Sequence, residues 1–110
     1  WIPNAMLMPT MSLEGANGGC FMLGNIAPKI CRKIMKLCIE KNFVEAKKLN
    51  DKLVDLDWNI LSRGAVGIKY ALDLLGYEGG DPRKPQNSLS ENDKKSISEA
   101  LKKSGIKEVE

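Results

Sequence analysis

Lys69 is the residue whose type and surroundings best suit covalent chemistry in this 110-residue chain. It lies between Ile68 and Tyr70 in an apolar segment, and a desolvated lysine amine can attack a carbonyl carbon to form an imine. Helical spacing places Asp73 four residues further on, where its carboxylate can pair with the ammonium group. We therefore predict that Lys69 stays charged on a helix surface and is not an imine-forming residue.

The cysteines predict no metal chemistry. Cys20, Cys31 and Cys38 contain no Cys-x-x-Cys spacing, and the chain has no histidine. A zinc site would therefore have too few nitrogen and sulfur ligands. We expect no metal, no cofactor, and buried or reduced thiols in a cytoplasmic protein.

Charge and hydropathy disfavour two classes of partner. The 17 basic and 14 acidic residues give a net charge of +3 and are interleaved, which is typical of solvated helix faces rather than of a nucleic-acid-binding surface. No apolar run approaches the roughly 20 residues that cross a bilayer, and no signal-like segment is evident. We expect neither nucleic acid nor membrane as a partner. Because the sequence begins with Trp1, a processed product, a domain fragment and a partially recorded chain all stay open.

The element expected to position a site is a short buried strand. Residues 19–26 are mostly apolar, begin at the second of two consecutive glycines and end close to Pro28, which is typical of a strand in a parallel sheet or barrel. The rest of the chain offers only a weak N-terminal segment as a partner, and residues 6–13 of that segment could be helical. Each unpaired buried group would cost about 1–3 kcal/mol, so we expect the missing strands to come from outside this chain.

Helices are predicted for most of the remaining chain. Pro28 suits the first position of a helix that ends near residue 42. Apolar residues at steps of three and four predict a second helix over about 43–64 and a third over about 65–75. Residues 79–89 predict an irregular crossing segment. Ser90 and Asp93 then resemble a capping box that begins a last helix.

Three motifs in this order of elements resemble one enzyme family. They are Gly-Ala-Asn-Gly-Gly at 15–19 with Asn-Ile-Ala-Pro-Lys at 25–29, Ile-Lys-Tyr-Ala-Leu at 68–72, and Pro-Arg-Lys-Pro at 82–85. Their order and spacing, over nearly the whole chain, resemble the dihydrodipicolinate synthase and N-acetylneuraminate lyase family. The resemblance implies an α/β fold, in which residues 1–42 are the end of a (β/α)8 TIM barrel, with its last strand and helix. Residues 43–110 would then form a three-helix C-terminal extension.

The resemblance also implies a class I aldolase or lyase, a carbon–carbon lyase that forms a Schiff base with pyruvate-derived 2-keto acids. The family's imine lysine and proton-relaying tyrosine lie on earlier strands, so we expect no catalytic residue here and no activity from this chain alone. Barrel sites form at the carboxyl ends of the strands, which makes Gly24 and Asn25 the expected substrate-binding residues. The alternative for Asn25 is a loop-capping side chain without substrate contact. Expected partners are a small 2-keto acid, the remainder of the barrel and further copies in a tetramer or dimer.

Departures from the family pattern bear on the substrate. Phe21, Met22 and Leu23 stand where sialic-acid lyases carry small polar residues, which disfavours a long polyhydroxylated substrate. Residues 64–67 read Gly-Ala-Val-Gly instead of the Asn-Pro usual in dihydrodipicolinate synthases. Residues 75–83 are most similar to 4-hydroxy-2-oxoglutarate and 2-keto-3-deoxy-acid aldolases, which we favour over the dihydrodipicolinate synthase type.

Two other interpretations stay open. One is a non-catalytic helical interaction module, in which the amphipathic helices bind a partner. The other is a truncated family member that folds only with a complementary chain. About 190 further residues upstream, with a tyrosine and a lysine on successive predicted strands, would decide for the enzyme.

Overall fold

Helices dominate the computed structural model, which describes residues 1–107. Two short 3-10 helices lie at Ala5–Leu7 and Met22–Asn25. The α-helices of these residues are α1 (Met8–Leu13), α2 (Pro28–Ile39), α3 (Phe43–Asp51), α4 (Val54–Leu61), α5 (Ala65–Leu74) and α6 (Glu91–Ser104).

The strand predicted at residues 19–26 is wrong for the described chain, because Met22–Asn25 close into a 3-10 helix. Sheet pairing between residues 1 and 107 is limited to one parallel bridge, which joins Ile2 to Gly19. Backbone hydrogen bonds of 2.8 and 3.1 Å connect Ile2 to the residues on either side of Gly19. A strand extends only where neighbouring strands satisfy its backbone groups. The N-terminal segment provides such pairing at a single residue, Ile2. The expectation that residues 19–26 find no strand partner within the chain was therefore wrong at Gly19.

The long second helix predicted over 43–64 is two helices, α3 and α4. A hydrogen bond of 2.8 Å from the Leu53 amide to the Asn50 carbonyl tightens the chain into a turn between them. The described extension therefore has four helices instead of three. The turn keeps Leu53, Leu56 and Ile60 fully buried.

Helix α4 is central to the packing. It contacts α5, α6 and both 3-10 helices, while α2 packs against α1 and α3. The fully buried apolar side chains come from both ends of the chain and include Ile2, Met8, Leu23, Ile26, Ile34, Leu53, Leu56, Ile60 and Ile97. Residues before and after position 42 thus share one hydrophobic core, and the division into 1–42 and 43–110 stays a prediction.

The predicted start and end of α6 are confirmed. The Ser90 hydroxyl accepts a hydrogen bond from the Asp93 amide at 3.2 Å and donates to the Asp93 carboxylate at 2.6 Å. Gly105 ends the helix in the left-handed conformation, with φ of 78°. None of the helices in residues 1–107 is both long and apolar enough to span a membrane.

Candidate functional site

A cleft of about 420 Å³ lies beside the single parallel bridge and contains both residues predicted to bind substrate, Gly24 and Asn25. One wall is the segment from Gly19 through the second 3-10 helix. The opposite wall is one face of α2, because its lining residues are spaced by three and four: Pro28, Cys31, Arg32 and Met35. The local fold therefore places the end of the parallel bridge opposite the first turns of a helix.

Asn25 holds the loop that forms this wall. Its side-chain amide donates a hydrogen bond of 2.8 Å to the carbonyl oxygen of Met22. This bond closes the 3-10 turn, as the loop-capping alternative requires, while the rest of the side chain is exposed beside the cleft. Contact between Asn25 and a substrate stays a prediction.

Gly24 is not required by packing within this chain. A β-carbon at this position would meet only the Phe21 β-carbon, at 4.0 Å, which is an ordinary contact. Gly19 differs, because a β-carbon there would lie 2.6 Å from the Ile2 carbonyl oxygen and would disrupt the bridge. The open space above Gly24 is therefore available to something outside the described chain.

The cleft is electropositive. Arg32 contributes a guanidinium group, and Pro28 is the first residue of α2, whose amino end carries a partial positive charge. No aspartate or glutamate is among the described residues that line the cleft. Sequence reasoning missed Arg32, although its position four residues after Pro28 on a predicted helix could have indicated it.

The thiols give no sign of a reactive centre. Cys20 is exposed and Cys31 is buried, and both line the cleft. Burial raises the pKa of the Cys38 thiol, which makes this cysteine a poorer nucleophile. Among residues 1–107, no group of three or more histidine, cysteine, aspartate or glutamate side chains could hold a metal ion.

Lys69 lies outside this cleft, and its predicted ion pair with Asp73 is wrong within the described residues. The Lys69 ammonium donates to the Gly79 carbonyl oxygen at 2.7 Å, and the Asp73 carboxylate accepts from the Gly79 amide at 2.7 Å. Gly79 lies so close to α5 that a β-carbon would overlap the Lys69 carbonyl oxygen. The carbonyl of Gly79 therefore accepts from Lys69 and its amide donates to Asp73. The Lys69 hydrogen bond holds the crossing segment against α5.

Comparison with known proteins identifies related sequences along almost the whole chain. The model of the dihydrodipicolinate synthetase family matches residues 3–104. The 4-hydroxy-tetrahydrodipicolinate synthase of Bartonella tribocorum is 37% identical over 90 residues, which cover 80% of this chain and 31% of the relative. The enzyme of the same name from Rhizobium meliloti is 33% identical over 94 residues, covering 84% of this chain and 32% of the relative. The chain thus spans about a third of the length of these curated relatives.

Solved structures give the same family and fold. The crystal structure of a dihydrodipicolinate synthase matches 94% of this chain and 36% of its own, with a TM-score of 0.88 and 27% identity. A variant of the Sulfolobus solfataricus 2-keto-3-deoxygluconate aldolase matches with a TM-score of 0.74 and 23% identity, covering the same shares of the two chains, and supports the fold alone. These neighbours are TIM barrels, and the helical chain described here corresponds to part of one. The chain belongs to the dihydrodipicolinate synthetase family.

Proposed function

We propose that this chain is the C-terminal part of a Schiff-base-forming aldolase for pyruvate-derived 2-keto acids, and that it supplies one wall of the substrate pocket. The observation that carries the proposal is the electropositive cleft, which contains Gly24 and Asn25 and lies beside the parallel bridge. Membership of a lyase family supports the reaction class. The chain covers about a third of its relatives, and in this proposal the reacting lysine belongs to the remainder of the barrel.

The wall binds the carboxylate of the keto acid in this proposal. A guanidinium group forms strong, charge-assisted hydrogen bonds with a carboxylate, which gives Arg32 this role. Gly24 leaves room for the carbon chain, since no atom of its own chain fills the space above it. Asn25 keeps the loop in place through its bond to Met22.

The chemical step uses the lysine of the remaining barrel. Its neutral amine attacks the keto carbon, water leaves, and the protonated imine withdraws electrons from the neighbouring carbon. That carbon loses a proton to give an enamine, which can add to an aldehyde or be formed by cleavage in the reverse direction. This chain contributes orientation of the carboxylate and the shape of the pocket, both of which favour reaction geometry.

Two observations support different substrate types. The two curated relatives from Bartonella tribocorum and Rhizobium meliloti are named 4-hydroxy-tetrahydrodipicolinate synthases, which supports that type. The segment 75–83, with Gly-Ala-Val-Gly at 64–67, supports a 4-hydroxy-2-oxoglutarate or 2-keto-3-deoxy-acid aldolase. Both types handle pyruvate, so pyruvate is the substrate on which the proposal is tested.

The test is pyruvate capture by a complex of this chain with the unmatched N-terminal two thirds of the Bartonella tribocorum relative. Arg32→Gln should weaken apparent pyruvate affinity about tenfold, the loss expected for one charge-assisted hydrogen bond. Lys33→Gln removes a neighbouring exposed charge that does not line the cleft, and it should leave the affinity unchanged. Equal affinity in wild type and Arg32→Gln would refute carboxylate binding here. A complex that assembles but captures no pyruvate would favour the non-catalytic interaction module.

A further inference from the structure

Two buried polar side chains of the helical extension bind the backbone of the N-terminal segment. Asn50 on α3 is 4% exposed and Asp57 on α4 is 1% exposed. The Asp57 carboxylate accepts a hydrogen bond from the Met6 amide at 2.8 Å, and the Asn50 side-chain amide donates to the Met6 carbonyl oxygen at 2.9 Å. The two side chains therefore hold the amide and the carbonyl of a single residue that lies more than 40 positions away in sequence.

Burial of the Asp57 side chain costs free energy, which its hydrogen bonds to the backbone must offset. Desolvation raises the pKa of Asp57, and hydrogen bonds from the Met6 and Ala5 amides partly offset that effect. An apolar side chain of similar size would avoid the desolvation penalty. The presence of a carboxylate at this point of the core therefore indicates that binding these amides is its structural role.

The first 3-10 helix lacks a cap of its own. Asn4 occupies the capping position, but its side chain forms no capping hydrogen bond. The amides of Ala5 and Met6 lie in the first turn, where no carbonyl of the same helix can accept from them. Asp57 supplies that acceptor from α4.

The same helix connects this contact to the candidate site. Helix α4 packs against both 3-10 helices, Ala5–Leu7 and Met22–Asn25. Met6 follows Ile2 by four residues, and Ile2 forms the bridge to Gly19 at the edge of the cleft. Leu23 of the second 3-10 helix is fully buried in the core to which Leu56 of α4 also belongs.

We propose that Asp57 and Asn50 are positioning residues of the site. Through the peptide groups of Met6 they hold Ile2 against Gly19 and fix the loop that contains Gly24 and Asn25. This positional link, from Asp57 and Asn50 through Met6 to the loop, depends only on the contacts described above. Its effect on the binding of a 2-keto acid rests on the proposed function.

Amide hydrogen exchange of the full 110-residue chain, measured by NMR, tests the link. Asp57→Ala leaves the Met6 amide without its acceptor, so exchange at Ile2 and Cys20 should become about tenfold faster. The amides of Ile97 and Leu101 in α6 should keep their protection. Asp57→Asn should restore part of the protection at Ile2 and Cys20, because its carbonyl oxygen can accept one hydrogen bond.

The matched control is Asp55→Asn, which removes an exposed carboxylate from the same helix and should change neither set of amides. Unchanged exchange at Ile2 and Cys20 in Asp57→Ala, or an equal increase at all four amides, would overturn the proposal. If Asp57→Ala does not fold, Asn50→Ala removes only the bond to the Met6 carbonyl oxygen. Faster exchange confined to Ile2 and Cys20 in that variant supports the link, and unchanged exchange there overturns it.

Pyruvate capture separates this proposal from the proposed function. In the complex with the N-terminal part of the relative, Asp57→Asn should weaken pyruvate affinity while the wild-type chain still supports capture. No capture with the wild-type chain would contradict the proposed function, whereas the positional link would still stand or fall on the hydrogen exchange at Ile2 and Cys20.

Discussion

Asp93 illustrates how individual residues hold the helices of the extension together. Its carboxylate accepts hydrogen bonds from the Ser90 hydroxyl at 2.6 Å and from the Arg63 guanidinium at 2.8 Å. The Ser90 hydrogen bond, followed by that of Arg63, lowers the pKa of Asp93 below its ordinary value of 3.8. These contacts join the turn between α4 and α5 to the first turn of α6.

The lowered pKa gives a pH-dependent contribution to stability. The folded state favours the ionised form, so the contribution is complete above the unfolded pKa of 3.8 and is lost as pH falls through the lower folded value. Asp93→Asn should therefore be less stable than wild type to urea at neutral pH. The difference in stability between the two should shrink gradually as pH falls below 3.8. Asp51→Asn removes an exposed carboxylate paired with Lys47 and should cost little at any pH. A difference that grows as pH falls would contradict this account.

A substitution at Gly24 distinguishes a role in packing from a role in substrate binding. Gly24→Ala should change the free energy of unfolding by less than about 0.5 kcal/mol, because its β-carbon meets no close atom. Gly19→Ala should cost about 1–3 kcal/mol, since its β-carbon would collide with the Ile2 carbonyl oxygen. Urea unfolding measures both, and pyruvate capture by the Gly24→Ala complex should be weaker. Destabilisation by Gly24→Ala comparable to that of Gly19→Ala would refute the open-space argument.

The sequence predicted residue roles where they depend on near neighbours. The capping by Ser90 and Asp93 was predictable because the partners are three positions apart. The bonds from Asp57 and Asn50 to Met6 were not, because they span 51 and 44 positions. Lys69 forms a polar contact, as predicted, but its acceptor is the Gly79 carbonyl rather than Asp73.

At the scale of elements, helical periodicity located the helices but not their breaks. Leu49, Leu53 and Leu56 continue the apolar spacing through the turn between α3 and α4, so the pattern predicted one helix. The predicted strand at 19–26 failed for a different reason. Its apolar character is typical of a barrel strand, but within the described residues only Ile2 pairs with it.

The crossing of α4 and α5 depends on Gly67. A β-carbon at this position would lie 2.7 Å from the Ile60 carbonyl oxygen and 3.2 Å from the Arg63 β-carbon. Helix propensity alone predicts that Gly67→Ala stabilises the chain by about 1 kcal/mol. We expect the opposite, a loss of about 1–3 kcal/mol in urea unfolding, because the two helices must move apart. Gly18→Ala, at a position with no atom within 4 Å, is the control, and stabilisation by Gly67→Ala would contradict the close crossing.

At the scale of the whole molecule, the chain is almost as compact as a free-standing domain of its length. Its radius of gyration is 14.0 Å, against about 13 Å expected for a compact domain of this length. The family resemblance located the chain within a barrel, which its own elements could not do, because one parallel bridge does not define a sheet. Family membership and the one-third coverage of the relatives explain this combination of a helical core and an incomplete sheet.

The central claim is that this chain completes an aldolase pocket without supplying the reacting lysine. The most direct measurement is borohydride trapping with pyruvate in the complex of this chain with the N-terminal two thirds of the Bartonella tribocorum relative, followed by peptide mapping. We predict a stable adduct on a lysine of the relative's segment, dependent on the presence of this chain, and none on Lys69 or any other lysine of this chain. An adduct on Lys69 at substoichiometric pyruvate, or trapping that does not depend on this chain, would contradict the account.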